Sequence, residues 1–330
     1  GVSLAVRLRP QSVAFGAEEC SEEEKGAMGN QANKLAAGAD VSPDEDSFEI
    51  DPSQLEWGDQ IGSGITALVY YGKYKGVEVA IKEINLDQGQ AKTVIQHALK
   101  SFEREAEVWP RIKHPNLVAL LGVQTSRMPL LLLSEYCAGG SLFQLLHNQP
   151  DIELCWTQRF KMLLDVALAV EYLHNFDPQI IHRDIKSLNL LLQNFVMDET
   201  DEPMVKLSDF GFARVKGSEE WGKMTKQAGT FHWMAPEVVQ GNYNEKADIF
   251  SYAMISYEVV CRRVPFEKLA ATAAIMNFYK GKRPGLDEIS ECSDGLRGQI
   301  ESLLTRCWAQ DPKERPSASE CVSMVQALQE

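Results

Sequence analysis

The chain has 330 residues, 44% of them hydrophobic, and its 33 Lys/Arg against 47 Asp/Glu give a net charge of −14. A chain of this length exceeds what one small core can organise, so it predicts a globular protein of two lobes or domains. The acidic balance argues against non-specific nucleic-acid binding and against docking on an anionic membrane surface.

The cysteines and the hydropathy pattern bear on the compartment. The seven cysteines form no CxxC pair and lie mostly among apolar residues, which is typical of buried thiols in a reducing, cytoplasmic environment. No run reaches the roughly 20 apolar residues of a membrane span. The sequence begins at Gly1 rather than Met, so we expect a fragment, in which the lack of a targeting signal carries no weight.

Residues 1–52 are predicted to be a disordered acidic segment. They are rich in Ala, Gly and Glu and poor in large apolar side chains, so they cannot bury enough surface to offset the entropy of ordering. About half of the net charge lies here, because residues 1–54 hold four Lys/Arg and eleven Asp/Glu.

Strand signals begin at Leu55. The runs LEWGDQIG, ALVYYGKYK and GVEVAIKEI cluster or alternate β-branched and aromatic residues between Gly-containing turns, which predicts an antiparallel meander. The first turn opens with Gly62-x-Gly64, which suits a backbone that folds closely over phosphate groups, but Ala67 replaces the third glycine of a GxGxxG pattern. We expect Ala67 to begin the second strand, where φ is negative and Ala is not strained.

A helix is predicted over about residues 90–109. Ile95, Ala98, Phe102 and Trp109 follow one another at helical steps and define an apolar stripe. Glu105 lies on the same stripe, and a carboxylate on a buried face is costly unless it is paired. The sequence therefore predicts that Glu105 has a partner.

The composition changes after two further predicted strands, Leu117–Val123 and Leu130–Glu135, at the sequence CAGGS. Beyond Ser141 helical patterns dominate, and the clearest cover Trp156–His174, Ala247–Cys261, Leu296–Ala309 and Ser317–Leu328. The chain therefore predicts an α+β protein, in which a glycine hinge joins a small β-rich lobe to a larger helical lobe.

Two short motifs in the second lobe carry chemistry. HRDIKSLN, His182 to Asn189, places a base, a cation and an amide in one loop. DFG, Asp209 to Gly211, follows the strand-like VKLS, and an Asp before Gly at a strand end suits metal coordination in a tight turn. Together with VAIK at Val79 to Lys82 and the glycine-rich hairpin, they leave little room for coincidence.

With these motifs, the sequence over about residues 54–330 resembles the protein kinases. APE at Ala235 to Glu237, DIFSYA from Asp248 and DPKERPS with Arg315 agree, and GTFHWMAPEV and GGSLFQLL are similar to the tyrosine-kinase-like branch, which includes mixed-lineage and Raf-type serine/threonine kinases. The resemblance implies a two-lobed kinase fold with an N-lobe over residues 53–138 and a C-lobe over residues 139–330.

The resemblance also implies a role for each site residue. Lys82 would bind the α- and β-phosphates of ATP, held by Glu105, while Asp184 would accept or orient the proton of the substrate hydroxyl. Lys186 would stabilise the γ-phosphoryl charge. Asn189 and Asp209 would bind Mg²⁺. The nucleotide site is predicted to comprise Ile61, Gly62, Ser63, Gly64, Val69, Ala80, Lys82, Glu135, Cys137, Asn189 and Asp209, the adenine lying against Val69 and Ala80 and the backbone of Glu135 and Cys137.

Supporting residues follow from the same resemblance. His182 is expected to pack beneath Phe210, and Glu237 to form a structural ion pair with Arg315. Trp109 stands where most kinases have a smaller aliphatic residue, and it is expected to pack in the core.

Residues 209–237 are predicted to be the activation loop. A phosphate added by an upstream kinase to Thr225 or Ser218 would pair with Arg183 and order the loop. Lys186 and Thr230 are similar to the serine/threonine pattern, so the predicted activity is ATP-dependent phosphorylation of protein serines and threonines in a signalling cascade, with dual specificity open.

Three other classes of protein share single features of this sequence. A pseudokinase or scaffold, which binds nucleotide or partner proteins without phosphoryl transfer, usually lacks the residues that here are Lys82, Asp184 or Asp209, and it stays open as the alternative. A dinucleotide-binding oxidoreductase needs a glycine-rich loop that opens a helix, whereas residues 67–74 predict a strand. No GxxxxGK[ST] sequence occurs, which argues against a P-loop NTPase.

Overall fold

The computed structural model describes residues 48–64, 67–84, 86, 90–216, 231–241, 244–287, 289 and 291–329. It confirms the predicted α+β fold of two lobes, a sheet with one helix followed by a mainly helical lobe. Among the described residues, no helix is both long enough and apolar enough to cross a membrane.

The first lobe is built on a five-stranded antiparallel sheet with the strand order β1-β2-β3-β5-β4. Ala67 begins the second strand, as predicted, and Gly62 lies opposite Val69 in the first hairpin. The strands are β1 Leu55–Ser63, β2 Ala67–Tyr74, β3 Val77–Ile84, β4 Leu120–Gln124 and β5 Leu131–Glu135.

The sheet lobe includes residues 48–50, ahead of the predicted boundary at residue 53. The N–H of Ile50 donates to the carbonyl of Val123 at 2.8 Å, and the N–H of Val123 donates to the carbonyl of Phe48 at 2.7 Å. Ile50 is buried, and a Cβ on Gly122 would overlap it. Two apolar side chains thus bring the end of the acidic segment onto the edge strand β4, while residues 1–47 lie outside the described residues.

One helix, α1 (Lys92–Val108), packs on the sheet. Its buried residues are Ile95, Ala98, Leu99, Phe102, Glu105 and Val108, so the predicted stripe and the buried glutamate are both confirmed. The second lobe contains α2 Trp156–Asn175, α3 Lys246–Cys261, α4 Ala271–Tyr279, α5 Asp294–Cys307 and α6 Ala318–Gln326.

Two short antiparallel pairs hold the motif loops of the second lobe. β6 (Ile180–Ile181) pairs with β9 (Arg214–Val215), and β7 (Leu190–Leu192) pairs with β8 (Val205–Leu207). HRDIKSLN therefore connects β6 to β7, and DFG connects β8 to β9. Because each motif is held at both ends by the same two ribbons, the two loops lie side by side.

Candidate active site

Lys82 reaches the site because β3 alternates its side chains between two faces. Val79 and Ile81 are fully buried in a small apolar cluster on one face, and Lys82 lies on the other face, towards α1. Its ammonium Nζ donates to Glu105 Oε1 at 2.7 Å and Oε2 at 2.9 Å, and to Asp209 Oδ1 at 3.3 Å. The ion pair predicted for Glu105 is present, and Asp209 from the second lobe joins it.

These three charges shift one another's protonation. Burial raises the pKa of Glu105 to about 7, although Lys82 lowers it. Burial lowers the pKa of Lys82, but the charges of Asp209 and Glu105 outweigh burial and hold that pKa above its usual value. Burial also raises the pKa of Asp209, yet Lys82 and Lys186 outweigh it and the pKa is lowered. Lys82 and Asp209 therefore stay charged over the range in which Glu105 titrates.

The DFG turn is shaped by its glycine and by Asp209. Asp209 has φ 66° and ψ 78°, a left-handed conformation that Asp tolerates better than most residues. A Cβ on Gly211 would overlap Ser101 Oγ and lie 2.8 Å from Glu105 Oε1. Gly211 thus permits the close approach of this turn to α1, which brings Asp209 to the Lys82–Glu105 pair.

Asp184 is the centre of the HRD loop. It is 3% exposed, and its Oδ2 accepts bonds from Lys186 Nζ at 2.7 Å and from Asn189 Nδ2 at 2.9 Å. Burial raises the pKa of Asp184, with Lys186 acting in the opposite direction. Since both of these bonds end on Oδ2, the other carboxylate oxygen, Oδ1, is the one presented for a further contact.

Ser208, which directly precedes Asp209 in the chain, connects the DFG turn to Asn189. Both the N–H and the Oγ of Ser208 donate to the carbonyl of Asn189, at 2.9 and 2.8 Å. Because Asn189 uses Nδ2 on Asp184, its amide oxygen and the Asp209 carboxylate are the pair of oxygen donors that these two residues can offer to a cation. Such a pair fits Mg²⁺, which binds proteins through one or two oxygen ligands and leaves positions for phosphates.

The predicted adenine residues lie where the lobes meet. Val69 and Ala80 are half-buried on neighbouring strands, and Ala80 pairs with Ser134 of β5. The N–H of Glu135 donates to the carbonyl of Ala119 at 3.0 Å, while its carboxylate forms a 2.8 Å ion pair with Lys206. Burial raises the pKa of the Cys137 thiol to about 12, so this cysteine is a neutral packing residue.

The sequence did not identify Asp248 as the anchor of the HRD loop. Its carboxylate accepts the main-chain N–H of His182 and of Arg183, both at 2.8 Å, and contacts His174 Nε2 at 3.0 Å. Asp248 is 1% exposed within helix α3, whose other buried residues are apolar apart from Ser251, Ser256 and Glu258. A carboxylate in such a helix is the same signal that singled out Glu105, and it could have been used here.

Aromatic packing connects the motifs. His182 lies edge-on to Phe210, with ring centroids 5.3 Å apart, as predicted. The rings of Trp109 and Phe210 also lie close, with centroids 5.5 Å apart, and the indole N–H of Trp109 donates to the carbonyl of Val118 at 2.7 Å. Trp109 is 5% exposed, so it packs in the core and contacts the DFG phenylalanine directly.

The remaining predicted residues divide into two groups. Arg315 donates from Nη1 and Nη2 to the two carboxylate oxygens of Glu237, at 2.6 and 2.9 Å, so the expected structural pair is present. Ser218, Thr225 and Thr230 lie outside the described residues.

A sheet lobe and a helical lobe that meet where Lys82 contacts Asp209, with Asp184 in the neighbouring HRD loop, define a kinase-type phosphotransferase fold. The chain belongs to the protein kinase family, since the sequence model of the protein kinase domain matches residues 55–325. Its relatives are serine/threonine kinases, and the predicted assignment to the tyrosine-kinase-like branch is confirmed.

Three relatives illustrate the similarity. The chain is 34% identical to the probable serine/threonine-protein kinase roco7 of Dictyostelium discoideum, over 88% of this chain and 11% of the relative. It is 34% identical to the serine/threonine-protein kinase STY46 of Arabidopsis thaliana, over 86% and 46%. It is 33% identical to the serine/threonine-protein kinase VIK of the same plant, over 87% and 64%. The chain thus spans less than two thirds of the length of each relative.

Proposed function

We propose that this chain transfers the γ-phosphoryl group of Mg-ATP to serine and threonine hydroxyls of protein substrates. The observation that supports it most is the contact of Lys82 with both Glu105 and Asp209, which links the sheet lobe, α1 and the DFG turn at one point. A cation held in this way is positioned for phosphate oxygens without further rearrangement.

The glycine-rich hairpin supports a phosphate ligand. Among the described residues, no atom lies nearer than 3.4 Å to a Cβ built on Gly62 or nearer than 3.6 Å to one built on Gly64. The packing of the described residues therefore does not require glycine at either position. We infer that these glycines leave room for the phosphates of a bound nucleotide.

The side chains of the second lobe would perform the transfer. Asp184, with its raised pKa, would accept the proton of the substrate hydroxyl at Oδ1 while Lys186 and Asn189 hold Oδ2. Lys186 would also stabilise charge on the transferred group. Asn189 and Asp209 would hold Mg²⁺, which neutralises charge on the phosphates when it is bound.

We also propose that phosphorylation of Ser218 or Thr225 regulates the kinase. A phosphate on either residue would place charge where Arg183, next to the base Asp184, could bind it. The test compares the transfer activity of the wild type and of Arg183→Ala before and after treatment with an activating kinase. If Arg183→Ala responded to phosphorylation as the wild type does, the pairing would be wrong.

The test of function is a transfer assay with Mg-ATP and a generic protein substrate, in which the wild type is compared with Asp184→Asn. We expect phosphoserine and phosphothreonine from the wild type and a loss of about 10²–10⁴-fold in the variant, while nucleotide binding is kept. Nucleotide binding without any Asp184-dependent transfer would instead identify a pseudokinase. Phosphotyrosine among the products would show dual specificity.

A further inference from the structure

The loop between β7 and β8 presents two large apolar side chains to solvent. Met197 is 66% exposed and Phe195 is 62% exposed, which makes them the two most exposed of the large hydrophobic residues in the described parts of the chain. Val196, between them, is only 4% exposed. Phe195 and Met197 therefore both face solvent, and the buried Val196 between them anchors the segment.

The loop holds this arrangement through many polar contacts. Asp201 Oδ2 accepts the N–H of Met197 at 2.7 Å and that of Asp198 at 3.2 Å. From α2, the buried amide of Gln158 donates to the carbonyls of Asp198 and Asp201, at 2.7 and 2.8 Å. At its start the loop lies against the segment that joins the lobes, where a Cβ on Gly139 would overlap the carbonyl of Asn194. The two apolar side chains are therefore displayed by a braced loop.

The charged residues of the loop itself have one sign. Residues 194–204 contain Asp198, Glu199, Asp201 and Glu202 and no Lys or Arg. The two lysines beside the loop already have carboxylate partners, because Lys161 bonds to Asp165 at 2.9 Å and Lys206 to Glu135 at 2.8 Å. The hydrogen bonds from Thr200 lower the pKa of Asp198, which keeps that carboxylate ionised.

We propose that this loop, residues 194–204, is a docking site for a basic segment of a partner protein that also carries apolar side chains. The apolar side chains of the segment would cover Phe195 and Met197, and its arginines or lysines would meet the four carboxylates. An apolar pair alone would not define the charge of its partner. The carboxylates do so, because an acidic or neutral segment would bring either repulsion or unpaired charge to this surface.

The site is separate from the phosphoryl-transfer machinery. None of the residues 194–204 is among the proposed catalytic or nucleotide-binding groups, so docking and catalysis can be measured independently. Failure of one measurement would leave the other unaffected.

The experiment is fluorescence anisotropy with the full chain and a labelled synthetic peptide in which arginine alternates with leucine. Peptides with glutamate for arginine, or serine for leucine, are the matched controls. We expect Phe195→Ser/Met197→Ser to weaken binding of the Arg/Leu peptide at least about tenfold. Val77→Ser should leave it unchanged, since Val77 is 59% exposed at the start of β3, in the other lobe.

A second pair of variants tests the charge. Glu199→Gln/Glu202→Gln should weaken binding severalfold and reduce its dependence on salt, whereas Glu314→Gln, at an exposed carboxylate elsewhere, should not. Unchanged kinase activity and circular dichroism would show that the variants are folded. Equal affinity for the Glu/Leu peptide, equal affinity of the Phe195→Ser/Met197→Ser variant, or self-association through this loop in place of peptide binding would each overturn the proposal.

Discussion

Each lobe contains an ion pair at short range, Lys82–Glu105 in the N-lobe and Arg315–Glu237 in the C-lobe, and the two pairs differ in what surrounds the cation. Arg315 is fully buried, binds Glu237 through two nitrogens, donates to the carbonyls of Ala309 and Lys246, and lies 5.0 Å above the ring of Phe250. Each nitrogen of the Arg315 guanidinium therefore donates to a group of the protein. These contacts are typical of a structural ion pair.

The Lys82–Glu105 pair is arranged differently. The Lys82 side chain is 23% exposed, and its single ammonium lies between two carboxylates, Glu105 and Asp209, which come from different parts of the chain. A cation that is partly exposed at the boundary of two lobes can still accept a ligand, whereas a saturated, buried guanidinium cannot. These surroundings support a structural role for the Arg315–Glu237 pair and fit the proposed role of the Lys82–Glu105 pair at the nucleotide phosphates.

The largest expected effect is on stability, from Arg315→Met. Removing one partner of a buried pair leaves the other charge without compensation, so we expect the free energy of unfolding to fall by about 3–5 kcal/mol. Chemical denaturation measures it. Arg263→Met is the matched control, because Arg263 pairs with Glu267 at an exposed site, and there a change below about 1 kcal/mol is expected. Equal losses in the two variants would contradict the structural role of Arg315.

Lys82→Met should lower kinase activity far more than it lowers stability. Loss of a preorganised charge at the phosphates should lower kcat by about 10²–10³-fold, while the unfolding free energy should fall by less than in Arg315→Met, because the buried Glu105, whose pKa is raised to about 7, can take up a proton when Lys82 is removed. Transfer assays and denaturation on the same samples measure both. Lys73→Met, an exposed lysine on the adjacent strand β2, should change neither. A Lys82→Met variant that is unstable but active would contradict the functional role proposed for the Lys82–Glu105 pair.

The pH dependence should show the titration of Glu105. Its pKa is raised to about 7, so below that pH the carboxyl becomes protonated and the attraction to Lys82 is lost. We expect kcat to fall as the pH decreases from about 8 to 6, by roughly tenfold at one pH unit below the pKa. Glu105→Gln should remove this step, so that only the titrations of other groups, among them Asp184 and Mg-ATP, remain in the profile. Identical profiles for the two proteins would show that Glu105 is not the titrating group.

The smallest effect is expected for Trp109→Phe. The change keeps an aromatic ring against Phe210 but removes the N–H that donates to the buried carbonyl of Val118, a loss of about 1 kcal/mol in unfolding free energy. Trp156→Phe removes a bond of the same kind, to the carbonyl of Glu291, at a more exposed position, and should cost less. A larger loss at Trp156 would contradict this ranking.

Much of the fold could be predicted, because its signals are local. The strands β1 to β3 and the stripe of α1 follow from periods of two and 3.6 residues, and Glu105 stood out as a charge on that stripe. Helix α4, Ala271–Tyr279, was missed: its nine residues are nearly all apolar, so only the structure shows that Ala274, Ile275 and Phe278 face the core.

The sequence motifs predicted the residues of the candidate site, but they did not predict the long-range contacts that hold those residues in place. VAIK, HRD and DFG identified the residues, but no local pattern relates Asp248 to the HRD loop or Lys206 to Glu135, since these contacts join residues 65 or more positions apart. The position of Phe48 and Ile50 on β4 was missed for a similar reason. Two apolar side chains in an acidic segment predict little until the strand edge that they cover is known.

The most direct test of the central claim is a double-mutant cycle on Lys82 and Glu105, read out in kcat. If the two side chains act as one unit on the nucleotide phosphates, Lys82→Met/Glu105→Gln should lose little more activity than Lys82→Met alone, because Glu105 acts only through Lys82. If the losses of the two single variants instead multiply in the double variant, the two residues act independently, and the functional role given to their ion pair would be contradicted.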